Sequence, residues 1–248
     1  MIPLYGIDGK PKGEVQPGTA FATPVRQDLI QRAVLAERAR QRQPYGVDPL
    51  AGKRTSAHYH GLRHYRNTMM NREMARMPRI HGTGALHFTA RFVPQATKGR
   101  KAHPPKAEKD WTLKINKKER LLALRSALAA TAQARPAGTL AFPIVVEDRL
   151  LQISKTRELL AFLAALGIPL LRERSVRAGR GKSRGRRYRT PKGPLLVVHA
   201  KPAHALGVET VAVKDLQVSH LAPGGQPGRR CIFTETSFKQ AGELGGEA

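Results

Sequence analysis

The chain has 248 residues, of which 40% are hydrophobic and 5% aromatic, and its 44 Lys or Arg against 18 Asp or Glu give a formal net charge of +26. This length allows one or two domains, and so large an excess of positive charge needs a polyanion such as nucleic acid to screen it. A single cysteine excludes a disulfide framework and a cysteine-based zinc finger.

No run approaches the roughly 18 apolar residues of a membrane span, so we expect no membrane partner. The N-terminus MIPLYGIDGKPKGE has no basic start followed by an apolar stretch, which argues against a signal peptide. We therefore expect a protein of the reducing interior of the cell.

The first predicted element is a helix over residues 25–41. Thr23 is its expected N-cap, Pro24 occupies its first turn and Pro44 stops it. Its apolar residues recur at spacings of three to four, which predicts one buried stripe.

Residues 44–110 follow as a long segment without a clean helical or strand period. It carries thirteen Lys or Arg residues against four acidic residues, a net charge of +9. Loops longer than about 12–15 residues without their own structure are usually functional or disordered. We expect this segment to be an insertion in the globular domain, ordered by a polyanionic partner.

A second helix is predicted over residues 116–132. Asn116 and Glu119 have the spacing of a capping box. Leu121, Leu124 and Leu128 recur on one face, which we expect to be buried.

From residue 140 the pattern changes to short apolar runs separated by helix-length segments. Strands are predicted at residues 142–146, 194–200, 209–215 and 229–235, with a helix at 154–167. This alternation predicts a three-layer α/β domain, with a largely parallel sheet and flanking helices, built from residues 1–43 and 111–248.

A second basic loop, residues 172–193, interrupts this domain. It holds ten Lys or Arg residues against Glu173, so the two basic segments together carry 18 of the 26 net charges. Its GRGKS stretch lacks the first glycine of a phosphate-binding loop, because Val176 stands there, and no helix is predicted after it. We interpret it as an RNA-binding loop.

Six of the nine histidines lie in the long segment. His60 and His64 have ligand-like spacing, but the sequence shows no third ligand, no HExxH motif and no nearby cysteine, so no metal site is predicted. Imidazoles interleaved with Arg and Tyr more often stack on bases or bind phosphate.

An enzymatic alternative rests on polar residues at the carboxyl ends of predicted strands, where open α/β sheets bind ligands. These residues are Glu147, Asp148, His199, Asp215 and Glu235. With metal ions they would form a nuclease site served by the basic loops. The simpler interpretation is that they meet solvent or cap the next helix.

Several blocks of sequence are specific enough to indicate a family. AGKRTSA (51–57), GRKAHPPKAEK (99–109) and RAGRGKSRGRRYRTPKGPL (177–195) resemble, in order, the archaeal and eukaryotic branch of the family of the universal fourth protein of the large ribosomal subunit. The resemblance covers the chain from about residue 23 to 241. It departs after AGKRTSA, where many relatives have a short Trp/Gly-rich stretch and this chain has HYHGLRHYRNTMMNREMA.

The resemblance implies a structural protein of the cytoplasmic ribosome, without catalytic residues or cofactors. It further implies a long loop that penetrates large-subunit ribosomal RNA, supports subunit assembly and reaches the constriction of the nascent-peptide exit tunnel. The expected partners are this RNA, neighbouring large-subunit proteins and the nascent polypeptide.

The expected site residues form three sets. Along the arms of the long segment, RNA-binding residues are expected at Lys53, Arg54, Arg63, Arg66, Arg91, Arg100, Lys101, His103 and Lys106. In the second basic loop they are expected at Arg177, Arg180, Lys182, Arg184, Arg186, Arg187 and Arg189. Tunnel-lining residues implied by the resemblance are Arg72, Met74, Arg76, Met77, Arg79 and His81.

Overall fold

One six-stranded sheet organises the computed structural model, which describes residues 1–133, 141–153, 155–168, 174–200 and 207–244. Its strands are β1 (Ile2–Tyr5), β2 (Pro11–Val15), β3 (Ile144–Val146), β6 (Leu195–Val198), β7 (Glu209–Ala212) and β8 (Cys231–Thr234), while β4 (Ser175–Val176) and β5 (Tyr188–Arg189) pair separately. The order is β2-β1-β3-β8-β6-β7, and every neighbouring pair is parallel except β1 with β2.

Helices cover both faces of this sheet. They are α1 (Gln27–Arg40), α2 (Lys117–Ala129), α3 (Thr156–Ala165), α4 (Val218–Leu221) and α5 (Glu235–Gly242). Residues of α1, α2, α4 and α5 share a buried cluster with Leu195 and Val197 of β6. Residues of α3 share another with Leu196 and Val198. Successive residues of β6 thus enter opposite cores, which is why its sequence is continuously apolar and the fold has three layers.

The predicted α/β class and the four predicted strands are therefore confirmed, but β1 and β2 were not predicted. β2 reads PKGEV, and only its last residue, Val15, is buried. Such an exposed edge strand with Pro and Gly carries no apolar alternation from which to recognise it.

Helix α1 begins later than predicted because a side chain from α2 holds the preceding turn. The N-cap is Arg26, without a side-chain cap, and not Thr23. The Arg26 N–H donates to Ser126 Oγ over 2.6 Å, and this hydroxyl donates to the Pro24 carbonyl over 3.1 Å. Thr23 stays extended, as a residue before proline prefers.

Helix α2 begins at the predicted place, and of the three predicted leucines Leu128 is fully buried. Asn116 is its N-cap, yet its side chain makes no capping bond, and Glu119 pairs with Arg32 of α1 over 3.0 Å. Ala123 and Ala127 are fully buried, whereas Leu121 and Leu124 are only partly so. Small side chains at this contact allow α1 and α2 to approach closely, so the alanines share the buried stripe with the predicted Leu128.

A buried guanidinium secures the strand ends beside the second basic loop. Arg229 Nε donates to the Gly193 carbonyl over 3.0 Å, and its Nη2 lies 2.7 Å from Glu209 Oε2. Burial raises the pKa of Glu209, but the hydrogen bonds from Lys192 and Arg229 outweigh it and leave the pKa below its ordinary value of 4.5. The carboxylate therefore stays charged between two cations, and the starts of β6 and β7 are held together.

The chain forms two compact units. One comprises Met1–Gln41 with Thr112–Ala248 and contains the sheet; the other is Arg42–Trp111, here called the insert. The first two residues of the predicted second basic loop, 172 and 173, lie outside the described residues, as does Ser154 at the start of the predicted third helix.

Candidate nucleic-acid interface

The two ends of the insert are joined by stacked aromatic rings and cations. Tyr45 and Trp111 stack with ring centroids 5.3 Å apart. The Arg42 guanidinium lies 3.9 Å from the Trp111 ring centroid, and the Lys109 ammonium 4.4 Å from it. Each cation–π contact at a partly exposed site contributes about 0.5–1 kcal/mol. These contacts hold together the two ends of the insert, which has almost no apolar core of its own.

A close backbone contact joins two of the family-like blocks. Gly52 of AGKRTSA has a positive φ of 76°, and a Cβ placed on it would lie 2.5 Å from the Arg100 nitrogen in GRKAHPPKAEK. Glycine is needed here both for the left-handed backbone and for the approach. The exposed Lys53 and Lys101 each follow one of the two contacting residues in sequence.

Most of the expected arm residues are solvent-exposed, and two are engaged within the insert. The exposed ones are Lys53, Arg54, Arg63, Arg66, Lys101, His103 and Lys106, while Arg91 and Arg100 are half-buried. Arg54 forms a two-pronged ion pair with Asp48, and Arg91 donates to the Thr97 carbonyl over 2.7 Å. The exposed side chains present a surface suited to phosphate contacts.

Arg79 connects several segments of the insert. Its backbone makes antiparallel bridges to His58 on one side and Ala90 on the other. Its guanidinium donates to the carbonyls of Phe88, over 2.9 Å, and Ala75, over 3.0 Å. Arg79 therefore holds together three segments of the chain, which pass through His58, Arg79 and Ala90. Its guanidinium points into the insert.

The other expected tunnel-lining residues differ in exposure. Arg72 and Arg76 are exposed, and the Arg72 guanidinium lies 4.3 Å from the Phe88 ring centroid. Met74 and Met77 are half-buried, and only Met69, at 1% exposure, is a fully buried apolar side chain among insert residues. The exposed cations and half-buried methionines form a mixed surface, called the tip (residues 72–77).

Three histidines meet beside Arg79. His58, His60 and His81 each offer a ring nitrogen, and these nitrogens all lie within 4.8 Å of one another. Tyr65 stacks on His60 with ring centroids 4.9 Å apart. Burial, followed by the neighbouring imidazoles of His58, His60 and His87, lowers the pKa of His81 from its ordinary value of 6.5.

The sequence did not indicate this cluster. It pointed to His60 with His64, but His64 lies outside the group. His58 and His81 are brought together by the backbone bridge from His58 to Arg79, a pairing between distant positions that no local spacing reveals. A cavity of about 520 Å³ is lined by Arg66, Asn67, His81, Gly82, Thr83 and His87.

The second basic loop contains a β-hairpin. β4 and β5 pair antiparallel, the Arg177 N–H donates to the Arg187 carbonyl over 2.8 Å, and Gly179 and Gly185 adopt positive φ in the turn. All seven expected RNA-binding residues are exposed: Arg177, Arg180, Lys182, Arg184, Arg186, Arg187 and Arg189. No acidic residue occurs between positions 174 and 189, so the hairpin presents one sign of charge.

Three of the polar residues at the strand ends make hydrogen bonds or ion pairs within the sheet domain. Asp148 Oδ1 accepts the Thr236 N–H over 3.2 Å at the start of α5, which satisfies an otherwise unpaired helix donor. Glu147 pairs with Lys12, and Glu235 with Lys239, each over 2.8 Å. In the part of the chain that the structure describes, neither these residues nor His199 and Asp215 form a group able to hold a metal ion.

Cys231 has no reactive character, because burial raises the pKa of its thiol to about 12. It occupies β8 as a small, fully buried apolar residue. Among the described residues, no helix is both long and apolar enough to cross a lipid bilayer.

Comparison with known proteins identifies the family. Residues 15–244 match the ribosomal protein L4/L1 family. The chain is 40% identical to a large ribosomal subunit protein uL4 of Haloquadratum walsbyi, over 97% of this chain and 98% of that one. It is 42% identical to those of Methanopyrus kandleri, over 99% of each chain, and Nanoarchaeum equitans, over 96% of each. These matches confirm the resemblance seen in the motifs, and the chain belongs to the ribosomal protein L4/L1 family, in its archaeal branch.

Proposed function

We propose that this chain is a structural constituent of the large subunit of the cytoplasmic ribosome, that it binds large-subunit ribosomal RNA through the insert and the basic hairpin, and that the tip lines the peptide exit tunnel. The observation that carries the proposal is the placement of charge. Most of the net positive charge is concentrated in two segments whose Arg and Lys side chains are largely exposed. Family membership supplies the ribosomal context.

The two segments suit RNA in different ways. The hairpin offers seven cations without an acid among them, which favours sequence-independent phosphate contacts. The insert adds Tyr, His and Arg side chains, which stack on unpaired bases as well as contacting phosphate. The sheet domain would then act as the anchor and as a contact surface for neighbouring large-subunit proteins.

The contacts divide the expected tunnel-lining residues by role. Arg72, Arg76, Met74 and Met77 have exposed or half-buried side chains able to face a passing nascent polypeptide. Arg79 and His81 have their polar atoms directed into the insert, so we assign them to supporting the wall rather than forming its surface. No step of this role requires catalysis, and we assign no enzymatic activity.

Sedimentation with ribosomal subunits tests this proposal. We expect the chain to sediment with the large subunit at low salt and to leave it only at high salt, because salt cations compete with Lys and Arg side chains for the phosphates of the RNA. A chain found mainly in the free fraction at low salt, or mainly on the small subunit, would contradict the proposal. Competition with duplex DNA is the control, since a general polyanion binder would transfer to it.

A further inference from the structure

We propose that His58, His60 and His81 form a binding site for a single divalent transition-metal ion, with Zn²⁺ as the ion that fits best. The proposal goes beyond the RNA-binding role and does not depend on it. Three imidazoles are a common zinc ligand set, with the fourth position left to water or another small ligand. Here they come from two passes of the chain that are joined by backbone hydrogen bonds between His58 and Arg79, over 3.1 and 3.2 Å.

The spacing of the nitrogens is close to that required. Nitrogens bound tetrahedrally at about 2.0–2.1 Å from zinc lie roughly 3.4 Å apart. The three imidazoles each have a nitrogen within 4.8 Å of the others, so ring rotations that move each nitrogen by about an ångström complete the geometry. The rings already contact one another, with centroids 4.2–4.8 Å apart.

Hydrogen bonding prepares His58 for this role. Its Nδ1 lies 2.8 Å from the Ser56 carbonyl oxygen, which only accepts, so Nδ1 must carry the proton. The proton on Nδ1 leaves Nε2 with a free lone pair. A backbone carbonyl on the second ring nitrogen is the arrangement that orients metal-bound histidines in proteins.

His81 contributes an independent observation. Its Nε2 is shielded from solvent and has no hydrogen-bond partner among the described residues. A buried polar nitrogen without a partner is unfavourable, and coordination to a metal would satisfy it.

The positive charge of the insert opposes a further cation, but this opposition is limited. The exposed cations are screened beyond about 8 Å at physiological ionic strength. The Arg79 guanidinium is directed to the carbonyls of Phe88 and Ala75, which partly offset its charge. A site of this kind would fix the two passes that carry the tip without adding an apolar core.

Titration of Zn²⁺ into the purified full chain, against a chromogenic chelator, tests the site. We expect one Zn²⁺ per chain, and His58→Ala, His60→Ala and His81→Ala should each weaken binding by more than about 100-fold, since losing even an outer-shell partner commonly costs about 10–100-fold. His64→Ala and His103→Ala are matched controls, because both residues are exposed histidines of the insert outside the group. Both should bind Zn²⁺ like the parent chain.

A ligand exchange separates coordination from ring packing. His81→Cys removes the imidazole and its ring contacts but supplies a thiolate, which also binds zinc. We expect it to retain Zn²⁺ binding that His81→Ala loses, and Co²⁺ in its place should give the absorption of a tetrahedral site. The proposal is overturned if the parent chain binds no Zn²⁺, if His64→Ala weakens binding as much as the triad variants do, or if His81→Cys behaves as His81→Ala.

Discussion

Replacing residues 63–89 by a short Gly-Ser linker is expected to leave the sheet domain folded while arresting late maturation of the large subunit. Both buried clusters of the domain are built from residues outside the insert, including Phe233 and Phe238 on one face and Ile144 and Leu159 on the other. Distant, independent parts of a protein make nearly additive contributions to stability. We therefore expect the free energy of unfolding of the domain to change by less than about 1 kcal/mol.

The functional effect of this deletion should be large, because it removes the tip together with Arg63 and Arg66. Sucrose-gradient profiles of cells that carry only the deleted protein should show accumulated large-subunit precursors, and nascent-chain transit should change in the subunits that mature. Normal maturation with unchanged transit would contradict the tunnel role. The double substitution Arg72→Ser and Arg76→Ser is the milder companion, since it keeps the backbone and changes only the exposed tip cations.

Neutralising the basic hairpin is expected to cause the largest loss of RNA affinity obtainable from three substitutions. Arg184, Arg186 and Arg187 are exposed and lie in or beside the turn, so replacing them with glutamine leaves the paired strands unaltered. If each contacts one phosphate, the slope of log affinity against log salt concentration should fall by about 2–3, or about 0.7–0.9 for each contact. Filter binding to large-subunit RNA over a salt series measures this slope.

The matched control carries the same change of charge elsewhere on the sheet domain. Arg149, Arg157 and Lys214 are exposed cations outside both basic segments. Their triple glutamine variant should change the slope by less than 1, because they have no assigned phosphate contact. Equal slopes for the two triple variants would mean that net charge, and not the hairpin, determines the affinity.

The sheet domain could be predicted in outline because most of its strands can be recognised from their own residues. The runs that became β3, β6 and β8 are apolar on both faces, and a buried parallel sheet requires that pattern. Helix α5 was not predicted, since its eight residues follow β8 directly and are started by the Asp148 carboxylate from a distant turn. Capping by a partner far along the chain leaves no local signature.

The charges of the candidate interface were evident from sequence, whereas its internal contacts were not. Exposure of the hairpin cations follows from the run of residues 177–187, which contains no acid and no large apolar residue. The meeting of His58 with His81 depends on the bridge between His58 and Arg79, which joins positions more than twenty residues apart. The inward direction of Arg79 depends on the carbonyls of Phe88 and Ala75, which an irregular backbone places around its guanidinium. Five residues of the insert also adopt the left-handed backbone without being glycine, namely Asn67, Asn71, Phe88, Phe92 and Lys98. Side chains such as Phe disfavour that conformation, so the turns could not be expected from residue type.

In the proposed arrangement the tip faces the nascent chain while the rest of the insert contacts RNA. A photo-crosslinking side chain introduced in place of Arg76 tests this arrangement in ribosomes that carry a stalled, labelled nascent peptide. We predict crosslinks from this position to the nascent peptide, and none from the same side chain in place of Leu160, an exposed residue of α3. Nascent-peptide crosslinks of equal yield at both positions, or none from position 76, would contradict it.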